Sequence, residues 1–514
     1  MYSKVNSGTT LGIDGMLISV ETDLSQGLPG MSLVGYLASS VKEAGERVRS
    51  ALKNSGIAIP SRRITVNLSP ADLRKDGAGF DLAIAVGIII SLEIIPISES
   101  LYEDFQRTLF LGELSLDGRV LPASGVLPIV DHAVKQGINR VVIPMENAPE
   151  ASIIRDVSIY PVSCVEDILS IIISDKWPTP FDSQEWNSSD AASCECDLAD
   201  IRGQETMKRG VMIAVAGFHN ILMTGAAGSG KSMIAKCIPG IMPPLSYEES
   251  MELTKIYSVA GLTSRDKSYI TRRPFRSPGQ NVSQVALLGG GASPRPGEVS
   301  LASGGVLFLD EFPEFPRAVI ESLRQPMEDK KVRVARVKAS YTFPARFMLV
   351  SARNNCPCGF FPDRKRCHCT ASEINHYQNK ISHPIMDRID IRLEINPVSY
   401  ADLFCANKGM SSSEARERIM IARARQERRF KDEDFVFNSE IPQGKMAQYI
   451  HIGDKEQKLI QERFERSDMS ARGYYRVLKL VRTIADVEDR DNITEQDIEE
   501  AMFFRNENEN TKWL

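Results

Sequence analysis

The sequence lacks the features of a secreted, membrane or strongly basic protein. Its N-terminal segment does not have the charged and then apolar pattern of a signal peptide. The longest apolar run, Leu82 to Leu92, is interrupted at Glu93 and is too short to cross a bilayer. The 62 basic and 67 acidic residues leave a net charge of −5, so any nucleic-acid contact must use local basic patches. We therefore expect a cytoplasmic protein with no membrane partner.

The chain also lacks low-complexity tracts and repeats of fixed period, and its 514 residues are too many for one ordinary domain. Residues 1–172 alternate short apolar strands with helical stretches, and Ser40–Asn54 is predicted as one helix. Residues 173–196 are polar and rich in Ser, Asp and Pro, which is typical of a linker, and the Cys194 and Cys196 in this segment have no obvious partner pair. Residues 197–400 return to α/β order with buried parallel strands. Residues 401–514 are mainly helical, and Thr494 with Asp497 resembles a helix start.

One segment has the pattern of a phosphate-binding loop. Gly225-Ala-Ala-Gly-Ser-Gly-Lys-Ser232 follows a predicted strand that ends at Thr224, and a predicted helix follows it. Glycines let backbone N–H groups approach phosphate oxygens, Lys231 supplies a cation and Ser232 can ligate Mg²⁺. The alternative is a glycine-rich turn that arose by chance. The predicted nucleotide-binding residues are Gly225, Ala226, Ala227, Gly228, Ser229, Gly230, Lys231, Ser232 and Asp310.

A second acidic motif completes an ATP and Mg²⁺ site. The apolar strand Val306–Leu309 ends in Asp310 and Glu311. An aspartate at a strand end can hold Mg²⁺, and the adjacent glutamate can orient the attacking water. Asn354 follows another apolar strand, where a polar side chain can sense the γ-phosphate. In isolation an acidic pair is usually solvated and an Asn in a loop usually forms a turn.

Four of the nine cysteines lie within fourteen residues, at Cys356, Cys358, Cys367 and Cys369. Two Cys-x-Cys pairs can surround one Zn²⁺ tetrahedrally as a structural site, and His368 is a substitute ligand. Free thiols and disulfides remain as alternatives. Bound zinc would display the intervening Asp363-Arg-Lys-Arg366 as a rigid basic loop.

With these residues in place, the chain resembles the YifB/ComM family of magnesium-chelatase-like AAA+ proteins over essentially its whole length. The strings that carry the resemblance are Gly27-Leu-Pro-Gly30, Arg63-Ile-Thr-Val-Asn-Leu68, Pro294–Leu301, Gly305–Glu311, Cys356-Pro-Cys-Gly359 and Asp387-Arg-Ile-Asp390. The resemblance implies an α/β protein of three parts. These are an N-terminal Lon-protease-like (ribosomal S5-like) α+β domain, a P-loop AAA+ α/β motor with a four-cysteine insertion at 356–369, and a C-terminal helical lid.

The same resemblance implies roles for three residues beyond the P-loop. Asn354 matches sensor 1, Arg388 matches the arginine finger that reaches a neighbouring subunit's ATP, and Arg472 matches sensor 2. With Lys231 and Glu311 they form the predicted catalytic set. Without the resemblance, each arginine would be interpreted as part of a surface salt bridge.

The chain departs from the family pattern in three places. Ala226-Ala227 stands where two prolines are usual, Arg353 and Asn355 flank Asn354 where Met and Pro are usual, and Ser277-Pro-Gly-Gln280 replaces a histidine-containing stretch. In the Lon-like domain, Gly79 stands at the place of the serine nucleophile and Leu127 at the place of the lysine base. We therefore interpret this domain as a non-catalytic scaffold.

The resemblance further implies a homo-hexameric ring that acts on branched or single-stranded DNA, by branch migration or unwinding in recombination or transformation. The run Lys330–Lys338 alternates basic and apolar residues like a β-hairpin arm, and Arg336 and Lys338 are the candidate phosphate contacts. A solvated strand face is the alternative for this run. For the whole chain, the alternative is a chelatase-type or protein-remodelling motor, and a Lon-like protease is disfavoured by Gly79 and Leu127.

Overall fold

Two separate sheets and a helical C-terminal region organise the chain in a computed structural model. The structure describes residues 2–77, 79–182, 196–263, 269–291, 293–336, 340–395, 409–466 and 469–505. The predicted DNA contact Lys338 and most of the predicted linker, 183–195, lie outside the described residues.

A mixed seven-stranded sheet forms the N-terminal domain, in the order β3-β4-β2-β1-β5-β8-β9. Its strands are β1 Tyr2–Leu11, β2 Asp14–Ser25, β3 Gly30–Val34, β4 Arg63–Ser69, β5 Thr108–Phe110, β8 Arg140–Pro144 and β9 Ser158–Val162, and a small ribbon pairs β6 Glu113–Leu114 with β7 Val120–Leu121. Its helices are α1 Ser39–Lys42, α2 Ala44–Asn54, α3 Asp81–Leu92, α4 Glu99–Gln106, α5 Val126–Lys135, α6 Ala148–Ala151 and α7 Val165–Ser174.

The long apolar run of the sequence is the central helix of this domain. Helix α3 has buried residues all round, as a helix without a polar face requires. Within the described ranges, the structure contains no helix with the length and apolar character that a membrane span needs. The stretch Ser40–Asn54, expected as one helix, is two helices that meet at Glu43.

The motor domain is built on a five-stranded sheet in which all neighbouring strands are parallel, in the order β11-β14-β17-β10-β18. Successive residues of strand β10 face opposite sides of the sheet, because Ile221 and Met223 enter one core cluster and Leu222 enters another. The strands are β10 Ile221–Gly225, β11 Phe275–Arg276, β14 Val306–Leu309, β17 Met348–Arg353 and β18 Ile391–Ile395.

Helices cover both faces of this sheet. They are α8 Glu205–Gly217, α9 Lys231–Ile241, α10 Tyr247–Ala260, α11 Gln284–Leu288, α12 Glu298–Leu301, α13 Arg317–Ser322, α14 Arg324–Asp329, α15 Ala371–Gln378 and α16 His383–Met386. Two short antiparallel ribbons project from the motor, one of β12 Gly289–Gly290 with β13 Arg295–Pro296 and one of β15 Lys331–Ala335 with β16 Ser340–Pro344. The second ribbon confirms the predicted hairpin.

The C-terminal region is helical, as predicted. Its helices are α17 Ser412–Arg429, α18 Met446–Tyr449, α19 Asp454–Arg466, α20 Ala471–Val487 and α21 Glu495–Phe503. The predicted helix start at Thr494 is a capping box with Asp497. Val477, Leu480 and Val481 of α20 lie in the same core cluster as one face of the motor sheet, so this region packs onto the motor.

The N-terminal domain contacts the motor through helix α10. The Tyr247 hydroxyl donates to the Ile153 carbonyl at 3.1 Å, and the Gly125 N–H donates to the Ser258 carbonyl at 3.0 Å. Lys255 and Asp131 form an ion pair at 2.6 Å. The two domains therefore share both backbone and charged contacts.

A fully buried carboxylate holds the C-terminal helices together. Asp486 accepts two hydrogen bonds from Arg429, at 2.6 and 2.7 Å, and one from Asn438 Nδ2 at 2.8 Å. Arg482 lies 3.0 Å away from the same carboxylate. Removal of such a partner leaves two guanidinium groups buried without compensation, which costs more than the loss of one contact.

We expect Asp486→Ala to lower the free energy of unfolding by about 3–5 kcal/mol, because it leaves buried charge unpaired. Chemical denaturation followed by circular dichroism measures this change. The matched control is Glu499→Ala, which breaks the exposed pair with Arg463 and should cost less than about 1 kcal/mol. Equal losses for the two variants would show that Asp486 does not anchor the helices.

Candidate nucleotide-binding site

The predicted phosphate-binding loop lies between strand β10 and helix α9. Gly228 and Gly230 adopt left-handed backbone conformations, with φ of 77° and 91°, which glycine alone adopts at little cost. Helix α9 begins directly afterwards at Lys231. The loop therefore presents its N–H groups and the positive end of a helix dipole toward one point, as an anion site requires.

Lys231 is held in position by oxygen atoms on two sides. Its Nζ donates to the carbonyls of Gly225 and Ala226, both at 2.8 Å, and to Asn354 Oδ1 at 3.1 Å. Burial lowers the pKa of Lys231, against the opposing field of Asp310 and Glu311. The structure thus brings together the P-loop lysine and the residue predicted as sensor 1. A bound phosphate would offer Lys231 Nζ a charged acceptor in place of these neutral oxygens.

Two predicted Mg²⁺ ligands also meet. Ser232 Oγ donates to Asp310 Oδ2 at 2.7 Å. A hydroxyl and a carboxylate are oxygen ligands of the kind that Mg²⁺ prefers, and the P-loop beside them supplies the place for phosphate oxygens. The residues therefore fit ATP with Mg²⁺, which would neutralise charge on the phosphates.

Glu311 has an unusual backbone conformation. Its φ is 50°, in the left-handed region that costs a non-glycine residue about 1–2 kcal/mol, and such strain is concentrated at functional sites. Its Oε2 accepts a hydrogen bond from Gln280 Nε2 at 2.5 Å. In the sequence, Gln280 was noted only as the last residue of Ser277-Pro-Gly-Gln280, a stretch that departs from the family pattern. Nothing in the sequence indicated that its side chain contacts the predicted catalytic glutamate.

The two arginines of the predicted catalytic set, Arg388 and Arg472, differ in their surroundings. Arg388 is 6% exposed, forms an ion pair with Glu328 at 2.5 Å and donates to the Pro384 carbonyl at 2.6 Å. Its Nε has no hydrogen-bond partner among the described residues. Arg472 is exposed in the first turn of α20.

The hairpin has one basic, exposed side. Lys331 and Arg333 alternate with Val332, which is buried in a core cluster, and Val334, which packs against it. The predicted contact Arg336 is exposed and donates to the Gly291 carbonyl. The sequence prediction named Arg336 and Lys338 as the phosphate contacts and did not single out Lys331 and Arg333, which the structure shows to be exposed on the same ribbon. Lys330 differs from them, because burial lowers the pKa of its amine.

The four predicted zinc ligands converge. Their sulfur atoms all lie within 4.8 Å of one another, and Cys356 Sγ is 3.3 Å from Cys358 Sγ and 3.7 Å from Cys367 Sγ. A tetrahedral Zn²⁺ with Zn–S bonds of about 2.3 Å separates its sulfurs by about 3.8 Å, whereas a disulfide needs about 2.05 Å. The cluster fits a zinc ion better than disulfides. His368 is exposed.

The structure describes Gly79 and Leu127, which stand at the positions of the serine and the lysine of a Lon-type dyad. Gly79 lines a cavity of about 770 Å³ that the N-terminal domain shares with the hairpin residues Arg336 and Tyr341. A Cβ on Gly79 would lie 3.6 Å from the Ala123 Cβ. Leu127 is fully buried in a core cluster of the same domain. Gly79 has no side chain and Leu127 has an apolar one, so the domain offers neither the hydroxyl nor the amine of a serine–lysine dyad at these two positions.

Comparisons with known proteins agree with this geometry. The model for magnesium chelatase, subunit ChlI, matches residues 197–403, that for subunit ChlI of Mg-chelatase matches 20–147, and that for its C-terminal part matches 409–505. Protein YifB of Salmonella typhimurium is 36% identical over 504 residues, which is 98% of this chain and 96% of that protein.

Two further relatives have informative names. Competence protein ComM of Haemophilus influenzae is 36% identical over 507 residues, 98% of this chain and 97% of that protein. Lon protease of Rhizobium meliloti is 31% identical over 205 residues, 38% of this chain and 24% of that protein. The chain belongs to the YifB/ComM family of magnesium-chelatase-like AAA+ ATPases, and the predicted fold class and family are confirmed.

We expect Lys231→Ala to abolish ATP binding, because it removes the only P-loop cation. Glu311→Gln should retain binding while turnover falls by about 10²-fold or more, since the amide cannot orient water as a base. Equilibrium binding of a fluorescent ATP analogue and steady-state phosphate release separate the two effects. Normal turnover by Glu311→Gln would remove Glu311 from the catalytic set.

Proposed function

We propose that this AAA+ ATPase works in the cytoplasm as a homo-hexameric ring that moves along or remodels DNA. The observation that carries the proposal is the basic hairpin, which lies in the chain between strand β14, just before Glu311, and strand β17, just before Asn354. These two strands are adjacent and hydrogen-bonded in the motor sheet. A displacement at the γ-phosphate would reach the hairpin through β17, because β16 ends at Pro344, shortly before β17 begins at Met348.

The side chains of the hairpin suit a phosphate backbone. The buried Val332 fixes the strand to the motor core, while Lys331 and Arg333 remain exposed on the other side. Cations without base-reading partners bind DNA with little sequence preference, as a translocating motor needs. The predicted contact Lys338 lies between β15 and β16 in the chain and outside the described residues.

The ion pair of Arg388 supports a link between neighbouring subunits and the hairpin. Its partner Glu328 lies in helix α14, and strand β15 begins two residues after that helix ends. An arginine finger that leaves Glu328 for a neighbour's ATP would change the charge beside the base of the hairpin. A cation supplied in this way stabilises the transferring phosphoryl group.

The name of one relative favours DNA as the substrate. Competence concerns the uptake of DNA, and the Haemophilus influenzae protein that carries this name aligns with 98% of the present chain. Branch migration or unwinding during recombination or transformation is the corresponding activity. A chelatase-type or protein-remodelling motor remains the alternative, and the DNA assay below separates the two.

We further propose that the four-cysteine cluster binds one structural Zn²⁺. Four sulfurs within 4.8 Å give a closed tetrahedral shell, which leaves no open position for catalysis. The ion would contribute to the folding of its loop and not to hydrolysis.

We expect branched DNA to stimulate ATP turnover, and Arg333→Ala to reduce that stimulation several-fold with little change in basal turnover. One lost phosphate contact should also lower the slope of log affinity against log salt by about 1. Lys431→Ala, which removes an exposed cation from the C-terminal region, is the matched control. Robust turnover that no DNA changes would favour the protein-directed alternative.

We expect Arg388→Ala to bind ATP normally and to lower turnover at least 10-fold, because the finger acts in trans. A mixture of Arg388→Ala with Lys231→Ala should regain activity, since some interfaces then combine an intact site with an intact finger. Glu328→Gln is the control: it breaks the internal ion pair but keeps the arginine. No recovery in the mixture would place Arg388 in a role within its own subunit.

A further inference from the structure

The cysteine insertion directly contacts the phosphate-binding loop. The N–H of Ala227 donates to the Gly359 carbonyl at 3.0 Å. Gly359 follows Cys358 and has a φ of 79°, in the left-handed region, so a side chain here would be strained. A Cβ on Gly359 would also lie 3.1 Å from the Ala227 Cβ and 3.8 Å from Asn354 Nδ2. The turn at Gly359 therefore packs closely against the phosphate-binding loop.

The position of this turn depends on the cysteine cluster. The Gly359 N–H donates to the Cys356 carbonyl at 3.0 Å, which closes the turn. Cys356 and Cys367 are buried, and their small core includes Ile374 and the partly buried Phe360 and Phe361. A core of this size does not hold a loop rigid by apolar burial alone, so a metal bond must supply much of its folding energy.

Two hydrogen bonds also hold Asn355, the residue that lies between the cysteine cluster and Asn354. Asn355 Nδ2 donates to the Phe361 carbonyl at 3.2 Å, and Gln378 Nε2 donates to the Asn355 carbonyl at 3.2 Å. Asn354, which contacts Lys231, immediately precedes this segment. The cluster therefore adjoins the nucleotide site at two points, the Ala227 N–H and the Asn354 side chain.

The first of these contacts needs a backbone N–H at position 227. Proline has no N–H and could not donate to Gly359. Alanine supplies the donor, so this P-loop gains a backbone bond to the cysteine insertion.

We propose that metal binding at Cys356, Cys358, Cys367 and Cys369 holds the phosphate-binding loop in its nucleotide-binding form through the bond between Gly359 and Ala227. The inference rests on the proposed zinc site and adds a regulatory role to it: metal occupancy raises affinity for the nucleotide. Coupling between two sites is reciprocal, so bound nucleotide must also raise the affinity for the metal by the same factor. One net hydrogen bond corresponds to a coupling of about 2- to 10-fold.

The test measures ADP binding to the full-length protein by calorimetry, before and after treatment with a zinc-selective chelator. A chromogenic zinc indicator gives the metal content of the same samples. We expect removal of zinc to weaken ADP binding about 2- to 10-fold, and added Zn²⁺ to restore it. In the reverse direction, saturating ADP should raise the affinity for Zn²⁺ by the same factor, measured by competition with a chelator of known zinc affinity.

Two proline variants test the route of the coupling. Ala227→Pro removes the donor and should make ADP affinity independent of zinc while zinc content stays normal. Ala226→Pro introduces the same ring one residue earlier, keeps the Ala227 N–H and should retain the dependence. A dependence that survives in Ala227→Pro would overturn the proposed route.

The outcomes also separate this inference from the zinc proposal. Stoichiometric zinc with ADP affinity unchanged by its removal would refute the coupling and leave the structural site intact. Purified protein without zinc, and unable to take it up, would refute the zinc site and the coupling with it. The zinc-affinity measurement needs no variant, so it decides whether the two sites are coupled even if Ala227→Pro does not fold.

Discussion

The parallel pairing of the five motor strands is the constraint on which the site depends. Parallel strands present their carboxyl ends at one edge of a sheet, and ligands bind in the crevice outside that edge. Gly225, Asp310 and Asn354 all lie at or just beyond the ends of neighbouring strands. Hydrogen bonds of the backbone therefore bring together side chains that are far apart along the chain.

A buried ionic group connects this sheet to the C-terminal helices. Asp390 accepts from the Asn220 N–H at 3.1 Å and forms an ion pair with Arg476 of helix α20 at 2.5 Å. Burial alone would raise the pKa of Asp390, but Arg476 and His219 hold it well below its usual range. Arg476 also donates to the Arg388 carbonyl at 3.3 Å. One charged pair thus positions the lid and the backbone of the proposed finger.

The two insertions of the motor have different relations to the nucleotide site. The cysteine insertion contacts the phosphate-binding loop from outside the sheet, through Gly359. The hairpin is joined to the sheet at one end, where β16 leads into β17, and to helix α14 at the other, and Val332 packs it against the motor core. In the proposed motor, the first insertion sets how well the nucleotide binds, and the second transmits the consequence of hydrolysis to DNA.

The sequence by itself determined what is local. The P-loop glycines, the apolar strands, the alternating hairpin and the Thr494 capping box all follow from backbone preferences and side-chain periodicity over a few residues. It was less reliable at Ser40–Asn54, where one expected helix is two. Local periodicity does not show where a helix is interrupted when both halves keep an apolar face.

Only the tertiary structure decided which distant side chains meet. Gln280 reaches Glu311, Glu328 holds Arg388, and Gly359 accepts from Ala227. Cys196, for which the sequence offered no partner, lies with its sulfur 2.8 Å from that of Cys237. The physical reason is that each contact joins separate elements whose relative placement is set by packing across the whole sheet, which no short segment of sequence encodes.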